Sequence, residues 1–138
     1  MGNRNAWPRM NRITTSVIAL TAGVVILAGT AVAAAGDMSV ATFLAKADAL
    51  KAKGPLALMS SDIGLLREEG QAAGQAYRAQ LDSERKAGHP SSCPPKGVRV
   101  TSDDLMGQMR AYPAARRPQI TVKTAMADMF RAKFACPK

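Results

Sequence analysis

Two cysteines, Cys93 and Cys136, stand 43 positions apart and are the only ones in the 138-residue chain. Such a pair reads either as one disulfide or as a reactive thiol with a bystander, and the compartment decides between them. The start of the chain speaks to the compartment. Arg4, Arg9 and Arg12 precede an apolar run from Val17 to Ala35, with no acidic residue before Asp37. The run closes on small residues, Ala31-Val32-Ala33 and Ala33-Ala34-Ala35, either of which suits signal cleavage. Residues 1–35 therefore predict a signal peptide, with an uncleaved membrane anchor as the alternative, since the run is just long enough to span a bilayer. Leu27-Ala28-Gly29 resembles a lipoprotein lead-in, but Thr30 follows it where a cysteine is needed. An exported chain meets an oxidising environment, so Cys93 and Cys136 are expected to pair.

The domain so defined spans residues 36–138 and is expected in the periplasm or outside the cell, with no stable membrane insertion once cleaved. A single domain of about 103 residues buries somewhat over 60% of its unfolded surface, and a disulfide is the usual reinforcement. Sixteen of the 19 basic residues and all 10 acidic ones lie in it, a net charge of +6. Its Lys and Arg are scattered without interleaved aromatics, which argues against nucleic acid as a partner.

Hydrophobic spacing predicts four helices and an all-α domain. The first runs from Ser39 to Lys53, with Val40, Phe43, Leu44, Ala47 and Leu50 on one face and Gly54-Pro55 as the stop. Leu56 to Met59 is then expected to form a helical turn or a tight buried connection. The second pattern runs from Ser60 or Ser61 to about Ala87, on a seam of Ile63, Leu66, Gly70, Ala73, Tyr77 and Leu81. Gly70 and Gly74 are expected to let another helix of the same chain pack closely. A surface for a partner or a second copy is the competing reading of those glycines. Thr101 and Asp104 suit a cap for a third helix, which carries Leu105, Met109 and Tyr112 and stops at Pro113. The fourth, from Thr121 to Phe134, places Val122, Ala125, Met126, Met129, Phe130, Lys133 and Phe134 on one side.

Catalytic material is scarce in this pattern. The sole histidine, His89, sits beside Pro90 in a turn-rich loop, and Glu68-Glu69 and Asp103-Asp104 are adjacent pairs whose side chains diverge. The Met106–Met109 and Met126–Met129 spacings would suit copper(I), but they fall on stripes where methionine fills a core. No catalytic, metal or cofactor residues are assigned. Arg116 and Arg117 lie just ahead of a helix start, where an anion is favoured and a cation is not. They are the candidate contact for an acidic group on a protein partner.

Cys93, Pro95, Gly97 and Val98, the helix ending at Tyr112-Pro113 and the closing Phe134-Ala135-Cys136 resemble the Tai/Rap family of immunity proteins for type VI secretion amidase effectors. Ala135 stands where that family has proline. Gly70-x-x-x-Gly74-x-x-Tyr77 is similar to the family's Gly/Tyr-rich second helix. The resemblance implies a small periplasmic all-α protein, often a homodimer, that blocks a peptidoglycan amidase delivered by neighbouring cells. The alternatives carried beside it are a periplasmic helical chaperone or stress protein and an envelope-associated structural domain held by charge.

Overall fold

A computed structural model describes residues 34–137, so all but the last two residues of the expected leader lie outside the described residues. The described residues fall in one compact unit. Four helices form it: α1 (Val40–Lys53), α2 (Ser61–Lys86), α3 (Ser102–Ala111) and α4 (Val122–Lys133), with 3-10 turns at Gly54–Met59 and Ala114–Gln119. No strand occurs among the described residues. The all-α four-helix expectation holds.

Local chemistry explains where each helix begins. Ser39 Oγ accepts the Thr42 N–H at 3.1 Å and Thr121 Oγ1 accepts the Thr124 N–H at 3.2 Å, so both helices start on a hydroxyl cap. Thr101 and Asp104 form a reciprocal capping box at the start of α3. The expected cap of α2 differs, because the Ser60 side chain makes no capping bond. Asp62 instead brings a carboxylate to the first turn of α2, where it holds Lys46 of α1 at 2.7 Å.

α4 is the hub. It buries Val122, Ala125, Met126, Ala127, Met129 and Phe130, and it packs against both α2 and α3. α1 adds Val40, Phe43 and Leu44 to this core, α2 adds Ala73, Tyr77 and Leu81, and α3 adds Leu105 and Met109. Lys133 falls on the expected apolar stripe, yet its stem runs outward and its ammonium meets Asp104. The Leu56–Met59 bridge is a helical turn as expected but is not buried: Leu56, Leu58 and Met59 are 71, 84 and 90% exposed.

One pairing was not anticipated. The extended backbones at the two caps lie side by side, with a bridge between Ser39 and Thr121. The Val40 N–H donates to Ile120 O at 2.8 Å and the Val122 N–H donates to Met38 O at 2.9 Å. A residue at an N-cap has β-region dihedrals, and two caps placed together can satisfy each other's free amides.

Cys93 and Cys136 form the expected disulfide, with Cα atoms 4.8 Å apart. The Cys93 N–H donates to Phe134 O at 2.7 Å, and Tyr77 Oη pairs with the fully buried Ser92 Oγ just before it. The bridge thus anchors the loop after α2 to the far end of α4. Closing a 43-residue loop contributes on the order of 4 kcal/mol on the chain-entropy model. A structural disulfide fits an oxidising compartment.

Candidate functional site

α2 and α3 each pack on α4 and on α1, but they meet each other at most at their margins. Between them lies an open apolar cleft of about 660 Å³. Phe43, Met126 and Phe130 line its base, Ile63 and Leu66 one wall, Leu105 and Met106 the other. Gly70 and Gly74 also line it, and an added Cβ at either would meet nothing within 4 Å among the described residues. The expectation that these glycines serve close packing inside the chain is therefore overturned. Nothing among the described residues lies on them, and their half-buried backbone lines the cleft.

A second cleft of about 510 Å³ continues along α2 to Leu81, edged by the loop from Pro94 to Val100. Tyr77 and Phe130, common to both clefts, stack with ring centroids 4.0 Å apart and planes at 18°. The two clefts form one groove along most of α2.

Charge around this groove is mostly positive. Arg67 and Arg78 line the first cleft, and Arg78, Arg85, Lys96 and Arg99 line the second. Asp82 is the one carboxylate among the lining residues, and it lies 3.7 Å from Arg85. Cationic side chains beside an apolar strip on half-buried glycine backbone suit a segment that is apolar along its middle and acidic along its edges.

The candidate arginines lie elsewhere and differ from one another. Arg117 Nε donates to Tyr112 O at 2.9 Å and its Nη2 donates to Arg110 O at 2.8 Å, so this guanidinium closes the C-terminal end of α3. Arg116 is exposed. Among the described residues the loop therefore presents Arg116 as an exposed cation, and its neighbour Arg117 has a structural duty.

The remaining singled-out residues are mostly explained by packing. His89 is exposed in the turn after α2, and Met109, Met126 and Met129 are buried in the core. Glu84 has its carboxyl pushed down to about 2, chiefly by hydrogen bonding to Ser91 and then to Gln80. Tyr112 donates to Asp128 Oδ2 at 2.7 Å, and its phenol is pushed up by burial and by that carboxylate. Of the adjacent pair Glu68-Glu69, Glu69 turns inward and is only 6% exposed. Its place four residues before Ala73 on the α2 seam was the available signal.

No protein-family model, curated protein or solved structure matches the chain.

Proposed function

We propose that this chain is an exported binding protein, periplasmic or secreted, that inhibits a peptidoglycan amidase by seating an acidic, apolar segment of it in the α2–α3 groove. One observation supports this above the rest: an apolar groove on half-buried glycine backbone, edged by Arg67, Arg78 and Arg99, with no other element among the described residues over it. Glycines four apart let a partner's backbone approach closely, and large apolar side chains beside them give the buried centre on which interface affinity depends. The charge pattern favours a different protein over a second copy, since two copies would bring cationic edges together. Both cysteines are committed to a disulfide and the sole histidine is exposed, which suits a binder better than a catalyst. The amidase as partner rests on the resemblance of the Cys93–Cys136 segment to immunity proteins.

The test is inhibition of the amidase expected from the neighbouring open reading frame. Gly74→Leu places a side chain into open space, so it leaves the fold intact and blocks the groove. Affinity for the amidase should fall at least about 30-fold, the loss typical of a hot-spot residue. Undiminished inhibition by the folded variant removes the groove from the account.

A second reading has its own observation. Leu56, Leu58 and Met59 are strongly exposed directly after Lys51 and Lys53, an apolar knuckle beside cations that suits an anionic envelope surface. Envelope binding of that kind collapses as salt rises, whereas a complex with an apolar centre persists.

A further inference from the structure

The segment leading into α1 is held by a side chain that the groove does not use. Glu69 Oε2 accepts the Gly36 N–H at 2.6 Å and the Met38 N–H at 3.2 Å. Among the described residues no Lys or Arg nitrogen reaches within 4.0 Å of this carboxylate; the adjacent Lys123 is held by Asp37 at 2.9 Å. Among the described residues this carboxyl, 6% exposed, thus meets two neutral backbone amides and no cation within 4.0 Å, and a buried acid is best satisfied by a paired positive charge. Gly36 is itself buried, and its place admits no side chain: a Cβ there would lie 2.8 Å from Lys123 Cε and 3.2 Å from Ala73 N.

The sequence puts a cleavage register at the same residue. Ala33 and Ala35 are the small residues three and one positions before Gly36 that a signal peptidase requires. We propose that the chain is cut between Ala35 and Gly36, and that the new α-ammonium of Gly36 docks on Glu69 as a buried ion pair. This rests on reading residues 1–35 as an export leader. In the cut, water adds across the Ala35–Gly36 peptide bond, leaving a carboxylate on Ala35 and an ammonium on Gly36. One turn bond, from the Asp37 N–H to Ala34 O, leaves with the leader. In return the amine brings the missing positive charge to an oxygen already 2.6 Å from its nitrogen. Glu69 is thus a receptor for the processed amino terminus, and only a chain that begins at glycine fits it.

Intact mass of the protein recovered from the periplasm tests the cut, and a chain beginning at Gly36 is the expected result. A chain beginning at Ala34 overturns the proposal while leaving export in place, and a membrane-bound chain beginning at Met1 overturns both. Docking is tested by acylating the α-amine at neutral pH. The Glu69→Gln variant of the processed chain should react on the order of tenfold faster than wild type, because it no longer holds the ammonium. Equal rates overturn the ion pair. Should that variant not fold, wild-type chains beginning at Gly36 and at Ala34 are compared in a thermal melt. The Ala34 form should melt lower by on the order of 5 °C, and coincident melts overturn the docking.

Discussion

Arg116 and Arg117 are neighbours in sequence but not in role. Arg117 binds the Tyr112 and Arg110 carbonyls at the end of α3, so Arg117→Ala should cost about 1 kcal/mol in a denaturant melt, while Arg116→Ala leaves stability unchanged. Asp104 makes a pH prediction. Its carboxyl is pushed down to about 2, first by the Lys133 ammonium and then by the Thr101 amide and hydroxyl. A folded-state value below the ordinary carboxylate value contributes stability that is present above about pH 4 and lost as pH falls toward 2. Asp104→Asn should therefore flatten the acid limb of the stability curve between those values and leave neutral pH the flatter region in both proteins. The capping box could be read from sequence because all its atoms lie within four residues. Arg117 could not, because its bonds depend on the path of the turn that folds it back on the end of α3. Glu69 could not, because its partners 33 and 31 residues away are set only when α2 meets the segment before α1.

Helix existence was legible for a related reason: periodicity, caps and the Gly54-Pro55 and Pro113 stops are local signals. The same signals cannot say which neighbour a face will meet. α2 carries the longest apolar seam, yet α4 is the hub, since it is short, apolar on most of its circumference and reached from both sides. Met109 of α3 is fully buried against this hub, so Met109→Ala should destabilise by about 2–5 kcal/mol, as core truncations do. Gly70 and Gly74 could be read toward this chain or away from it, and spacing alone did not choose. Because nothing among the described residues lies within 4 Å of a Cβ at either, alanine there should raise stability by up to about 1 kcal/mol each, measured by chemical denaturation. The disulfide acts at the same scale. Reduction should lower the unfolding free energy by about 2–4 kcal/mol and free the end of α4 first, which amide exchange near Phe134 would register.

For the molecule as a whole, the bridge and the hub leave one side unfinished. A four-helix unit whose second and third helices stand apart exposes an apolar groove that a fifth element would complete, and its edges are cationic. The most direct measurement is amidase activity on peptidoglycan with wild-type and Gly74→Leu chains added at matched concentration, alongside their melting curves. Full inhibition by wild type is expected, and for the variant a loss of inhibition of at least about 30-fold with no drop in melting temperature. Equal inhibition by both folded chains, or none by either, would contradict it.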